Sequence, residues 1–305
     1  MVDLRSLEVF FWVVKLGGFG RAAERLHMTQ PAVSARISQI EARFAARLLD
    51  RAPNRAAVPT PKGMELYAYA ERMLSLQAEL EARLSGGASQ SGIARIGIAE
   101  TLVHTMLGNV IRRLHQRHPG ITPEITVEIS PTLQTMLLAG EIDVAMMLGP
   151  VNDPRVRNVL LGDYEMAWVA SPALPIGEAM LGAATPGKAT LGPAELARWP
   201  LLSYSRGTLP HTQLSALFSR PELPAVRIFS SSSLASVISM AVDGIGIGVV
   251  PLAVVQTELT AERLRLLNVE HALPPLRFTA SSLATAMTGL AATIADVAGQ
   301  VATAS

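Results

Sequence analysis

Apolar residues recur at spacings of three and four through the N-terminal third of the chain. Farther along they alternate at spacings of two, so the chain divides by period before any single residue stands out. Leu4, Leu7, Phe11 and Val14 make the inner stripe of a first helix, which Gly17 and Gly18 end. "GRAAERLH" gives a short second helix with Ala22, Ala23 and Leu26 inward. After a tight connection a third helix begins in "MTQPAVSARISQIEARF", residues 28–44, where Val33, Ile37, Ile40 and Phe44 are spaced 4, 3 and 4. That spacing puts them on one side of a 3.6-residue helix. Thr29 suits the N-cap, and Pro31 the first turn, where a missing N–H costs nothing. "LLDRAPNRAAVPTPKG" then reads as two short extended arms around a Pro53–Asn54 turn. Three helices and a small hairpin predict a winged helix-turn-helix over residues 1–60.

From Pro61 the pattern is that of one long helix, in which Leu66, Tyr69, Met73, Leu76 and Leu80 step by 3, 4, 3 and 4. Such a seam either pairs with a second copy or lies on its own domain. "SGGASQSG" reads as a flexible hinge, so residues 61–91 form a linker. Beyond it strands and helices alternate. "IARIGIA" is a strand, Leu107, Val110, Ile111 and Leu114 stripe a helix, and Ile125, Val127 and Ile129 alternate in a second strand. "TLQTMLLAG" is a helix and "IDVAMML" a third strand. This βαβαβ rhythm predicts a parallel sheet covered by helices. A second set follows, with strands in "YEMAWVAS", "PLLSY", "AVRIFS" and "IGIGVVP" and helices around 211–219 and 232–242. Residues 92–305 are therefore expected to form an α/β domain of two lobes, about 92–163 with 266–305 and 164–265, around a cleft.

The chain has 305 residues, 49% of them apolar and 17% charged, enough for two or three domains. Its net charge of +1 hides an uneven distribution: between Gly20 and Gly63, eight basic side chains oppose three acidic ones. A basic head on a near-neutral body fits an anionic partner bound at one end. With no cysteine there is no disulfide framework or thiolate site, which fits a reducing compartment. The apolar run Val9–Val14 is too short for a signal peptide, and no stretch is long enough to span a membrane, so the expected location is the cytoplasm.

The face of the third helix away from its stripe carries Gln30, Ser34, Ala35, Arg36, Ser38, Gln39 and Arg43, with no large apolar group and no carboxylate before Glu41. Such a face packs poorly and suits a polar, negatively charged groove. Thr29 and the first-turn amides fit a phosphate oxygen. Gln30 can pair with the N6/N7 edge of adenine, and Arg36 with O6/N7 of guanine. Arg51 and Arg55 are placed to hold phosphate beside the wing. A solvated surface charge is the rival reading for Arg36 and Arg55, and an internal ion pair for Arg51.

The stretch "FGRAAERLHMTQPAVSARISQIEARF", followed by "LLDR" and "PTPKG", and later "RHPGI", "LLAGEIDVAM" and "DGIGIGVVP", resembles the LysR-type transcriptional regulators in order and spacing over nearly the whole chain. The resemblance implies a DNA-binding winged helix, a linker helix that makes homodimers, and an effector domain with the two-lobed fold of type 2 periplasmic binding proteins. It further implies dimers that pair into homotetramers, and contact with RNA polymerase if the protein is an activator. Pro31 and Ser34 match family positions that approach the bases. The departures are Phe44–Ala45 where Leu-Gly is common, Leu48–Leu49 for Leu-Phe, and Ala35 where arginine is frequent. Arg55 also stands four places after Arg51 rather than three, so the hairpin is longer.

In a two-lobed sheet protein, ligands sit where strand ends and helix N-termini converge. That geometry selects Thr101, Ser130 and Thr132 in one lobe and Ser203, Ser205, Arg206 and Thr208 in the other, with Phe229, Gly246 and Ile247 on the far wall. Hydroxyls and free N–H groups favour a small organic acid as effector. The serines at 230–233 are placed at the cleft as well, with helix capping as their competing role, and a surface charge is the rival reading for Arg206. No cofactor, metal or membrane partner is expected. "GAATPGKAT" nearly spells a phosphate loop but ends Lys188–Ala189 where Ser or Thr is needed, so catalysis finds no support. His115 and His118 lie one turn apart without a third metal ligand. The alternative to promoter DNA as partner is a solute-binding protein with no transcriptional role.

Overall fold

A computed structural model describes residues 3–50, 57–84, 92–176, 190–220, 223–284 and 289–304. The Pro53–Asn54 turn, Arg51, Arg55, the hinge at 85–91 and the near-phosphate-loop stretch at 182–189 lie outside the described residues. The chain divides into two compact units, Met1–Gly92 and Ile93–Ser305.

The first unit holds α1 (Leu4–Leu16), α2 (Phe19–Arg25), α3 (Gln30–Phe44), the antiparallel pair β1 (Leu49–Asp50) and β2 (Val58–Pro59), and α4 (Pro61–Leu84). Asp3 caps α1 by accepting the Ser6 amide at 2.7 Å. That amide, ahead of the Arg36 guanidinium, holds the Asp3 carboxyl below the usual carboxylate range. The expected stripe of α1 needs correction. Val9, Phe10 and Val13 enter the core with Ala22, Ala23, Leu26, Val33, Ile37 and Ile40, while Leu7 and Phe11 face Ala70 of α4. Leu4 is exposed. A helix apolar around most of its girth can bury two faces, and α1 lies between the helix-turn-helix and α4.

Phe44 is likewise misassigned by its spacing: it is half-exposed and lines a groove of about 490 Å³ with Leu7, Leu48, Leu66, Tyr69 and Met73. Ala45 then ends α3 in the left-handed region, at φ 46° and ψ 41°. In "PTPKG", the Thr60 hydroxyl accepts the Gly63 amide at 3.1 Å and opens α4, with Pro61 in its first position. A Cβ on Gly63 would lie 2.0 Å from the Leu48 carbonyl oxygen, so only glycine lets α4 leave the wing this closely.

The second unit contains two five-stranded sheets. The first runs β4-β3-β5-β12-β6, from β3 (Gly92–Ile98), β4 (Ile121–Val127), β5 (Val144–Leu148), β6 (Val156–Tyr164) and β12 (Leu276–Leu283). The second runs β11-β7-β10-β8-β9, from β7 (Met166–Ala170), β8 (Leu201–Tyr204), β9 (Ile228–Ser231), β10 (Ile247–Pro251) and β11 (Arg265–Leu266). The purely parallel sheet expected above is corrected: β12 is antiparallel to both β5 and β6, and β7 to both β10 and β11. A segment from the far end of the chain, within the stretch 266–305 assigned to this lobe, supplies a strand of the first sheet that the βαβ rhythm does not announce.

The chain crosses between the lobes at Glu165 and again after Leu273, which still packs in the second lobe's core with Leu267, so the second lobe runs past the expected limit at 265. Helices α5 (Glu100–Leu102), α6 (Gly108–Arg117), α7 (Ser130–Ala139) and α12 (Leu290–Ala302) belong to the first lobe. Helices α8 (Pro193–Leu196), α9 (Leu209–Leu217), α10 (Leu234–Val242) and α11 (Gln256–Thr260) belong to the second. Between α5 and α6 a π-helical turn, Val103–Leu107, adds a residue to the period, so Met106 rather than Leu107 goes deep beside Val110 and Leu114. Strand β4 is an edge strand that stops before Ile129, and its Ile125 and Val127 are exposed. No helix among the described residues is long and apolar enough to cross a membrane.

Candidate functional site

The α2–α3 pair presents α3 to solvent on the side away from Val33, Ile37 and Ile40. At 100° per residue, Pro31, Ala35, Ser38, Gln39 and Ala42 fill the outward arc, and all are exposed. Gln30 is exposed and Ser34 half-buried on one flank, and Arg36 lies on the other. The Thr29 hydroxyl accepts the Ala32 amide at 3.4 Å, which leaves its own proton free to donate to an oxygen. Glu41 does not reach the outward arc: its carboxylate accepts the Leu48 and Leu49 amides at 2.9 and 3.3 Å and pins the root of the wing. The exposed arc therefore carries no anion.

Arg36 departs from the use its sequence position suggested. Its Nη1 donates to Ser6 Oγ at 3.2 Å and lies 3.5 Å from Asp3 Oδ1, so it braces α3 against the start of α1. A base contact would require that brace to open. Arg51 and Arg55 lie outside the described residues.

In the second unit a cleft of about 570 Å³ opens between the lobes. Residues at the end of β3, the start of α7, the start of α9 and the start of α10 line it, with Leu276 and Phe278 of β12 behind. Thr101 is buried and its hydroxyl shares a 3.0 Å hydrogen bond with the Tyr204 phenol across the lobes. Burial pushes the Tyr204 phenol well above its ordinary value, against the pull of Thr101, and the Glu100 charge pushes the same way. Ser130 accepts the Leu148 amide at 3.1 Å, and Thr208 donates to the Ser205 carbonyl at 2.7 Å. Glu100 and Glu128 are the charged groups of the wall, and no lysine or arginine is among its described lining residues.

Of the residues expected at this cleft, Thr101, Ser130 and Thr208 line it. Thr132, Ser203, Ser205, Arg206, Phe229, Gly246 and Ile247 are not among its lining. Ser203 is fully buried on the other face of β8, because side chains alternate along a strand and Tyr204 takes the cleft side. Arg206 and Phe229 are exposed elsewhere. A Cβ on Gly246 would meet the Pro200 carbonyl oxygen at 2.2 Å, so this glycine serves packing of the sheet, and Ile247 is core. Tyr204, Gln134, Glu128 and Phe278 were passed over. The alternation of "LLSY" could have given Tyr204, whereas Phe278 arrives from a strand that no local pattern links to the cleft.

Comparison with known proteins agrees with this division. Residues 4–64 match the family described as bacterial regulatory helix-turn-helix protein, lysR family, and residues 87–301 match the LysR substrate binding domain. The RuBisCO operon transcriptional regulator of Allochromatium vinosum is 28% identical over 272 residues, covering 88% of this chain and 86% of its own length. The HTH-type transcriptional regulator BbuR of Bordetella bronchiseptica is 27% identical over 277 residues, covering 90% and 80%. Among solved structures, ArgP from Mycobacterium tuberculosis has a TM-score of 0.65 at 20% identity, covering 97% of this chain and 96% of that one, and so shares the fold. The chain belongs to the LysR family of transcriptional regulators, in which a DNA-binding helix-turn-helix is joined to an effector-binding domain.

Proposed function

We propose that residues 1–60 read promoter DNA through α3, that residues 61–91 pair two copies, and that residues 92–305 bind a small-molecule effector in the interlobe cleft. The observation that carries the reading is the outward arc of α3, small, polar and free of carboxylate because Glu41 turns inward. On that arc Pro31 and Gln39 face the groove, with Gln30 and Ser34 beside them as base readers. Thr29 holds a phosphate at the helix N-terminus. Arg36 is assigned to support rather than to guanine. Arg51 and Arg55 remain proposed phosphate contacts of the wing. The protein acts on DNA in the cytoplasm without a catalytic step; dimers associate into tetramers, and an activating form contacts RNA polymerase.

The expected small organic acid fits the cleft poorly, since its wall carries Glu100 and Glu128 and no described cation. A polar effector that is neutral or cationic suits it better. Titrating purified full-length protein onto its gene's upstream region, against a scrambled duplex, tests the first part: a preference of at least about 10³-fold is expected. Equal binding to both duplexes would overturn it. Gln134→Trp, which fills the cleft, should abolish any metabolite-dependent change in the DNA footprint while leaving DNA binding intact.

A further inference from the structure

Glu100 enters the cleft from the first lobe but makes its bonds in the second. Its Oε2 accepts the Leu234 amide at 2.5 Å, and its Oε1 accepts the Ala235 amide at 3.2 Å and the Ser233 hydroxyl at 3.3 Å. Ser233 in turn accepts the Ser236 amide at 3.3 Å. The donors at the start of α10, a nine-residue helix, are thus met by a side chain from the opposite lobe and by its own cap. His104 Nε2 stands 3.8 Å from the same Oε1. The starts of α7 and α9 at the cleft are poorer in amide donors. Each of α7 and α9 has a proline in its first turn, Pro131 and Pro210, which removes an N–H; the Thr208 hydroxyl is donated to the Ser205 carbonyl, while Ser130 accepts the Leu148 amide and keeps its own proton.

We propose that Glu100 is a tethered carboxylate that fills the anion seat of the effector cleft, ties α10 to the first lobe, and closes that seat to acid effectors. The proposal rests on the reading of this cleft as the effector site. A start of a helix attracts carboxylates through its unpaired N–H groups and its dipole. A free acid would compete with an intramolecular partner held at high effective concentration, and would sit beside a like charge. Glu100 thereby determines specificity. Effectors engage Gln134, Ser232 and Glu128 instead, through donors or a positive centre.

The test uses sodium acetate as probe on full-length protein, with sodium chloride at equal ionic strength as control. Glu100→Ala should open the seat, so saturating acetate raises its melting midpoint by about 2–4 °C over chloride, whereas wild type shows no acetate-specific shift. An equal shift in both proteins, or none in the variant, would overturn the proposal. Glu100→Gln keeps the side chain's volume and guards against a variant that does not fold. The chain has no cysteine, so spin labels at Gln116→Cys and Gln256→Cys, on opposite lobes, are unique. Their distance distribution should be narrow in wild type and broadened or lengthened by Glu100→Gln. Identical distributions would refute the tie. Neither readout needs the natural effector, so either can fail while Gln134→Trp still reports on the cleft itself.

Discussion

Gln30 and Arg36 carry long polar side chains on the same helix, yet their surroundings separate their roles. Gln30 is exposed beside the outward arc, so Gln30→Ala should cost about 1–3 kcal/mol at the cognate site and little on random duplex, measured by anisotropy on both. Arg36 is spent on Ser6 and Asp3, and Arg36→Ala should weaken both duplexes alike. Ala45 holds a left-handed conformation that costs an L-residue about 1–2 kcal/mol. Ala45→Gly should therefore stabilise the first unit, by about 1 kcal/mol after glycine's greater entropy loss, read from denaturant midpoints. Tyr204 supplies a pH test. Its folded phenol titrates above its unfolded value near 10, so the stability it contributes is intact below pH 10 and falls as pH climbs toward the folded value. Urea midpoints between pH 9 and about 11 should drop in wild type, and drop less in Tyr204→Phe.

At the scale of elements, legibility followed how local the cause was. The three N-terminal helices, the capping Thr29 and the start of α4 at Pro61 were readable because each depends on neighbours within a turn. The lapses have physical origins. Helix α1 is apolar on two sides because two different elements clasp it, so its spacing named only part of its buried set. The π-helical turn shifted the stripe before α6 by a residue, and β8 was assigned its cleft-facing side from hydroxyls rather than from alternation. Strands β6 and β12 escaped because their pairing joins segments more than a hundred residues apart, where no window of sequence sees both. Thr101 was legible as a strand-end residue, but the bond of its neighbour Glu100 to α10 depends on the second lobe. Helix α4 leaves Tyr69, Met73, Leu76 and Leu80 between 51% and 66% exposed, a row left uncovered among the described residues of its unit. Leu76→Asp should accordingly halve the mass in sedimentation equilibrium, and an unchanged mass would remove α4 as the pairing seam.

For the whole molecule, charge and symmetry set the terms of recognition. The excess of basic groups between Gly20 and Gly63 means that binding should weaken steeply with salt through counterion release. Two heads held together as proposed, through paired α4 helices, would fit an inverted repeat with half-sites about one helical turn apart. One further consequence lies in the order of manufacture. Because β12 sits between β5 and β6, the lobe that leaves the ribosome first must wait for residues near 283 before its sheet can close. Until then two naked strand edges await their filling, while the later-born lobe is already complete at Leu273, so a nascent chain stalled there would carry a finished second half beside an unfinished first one that asks for a chaperone.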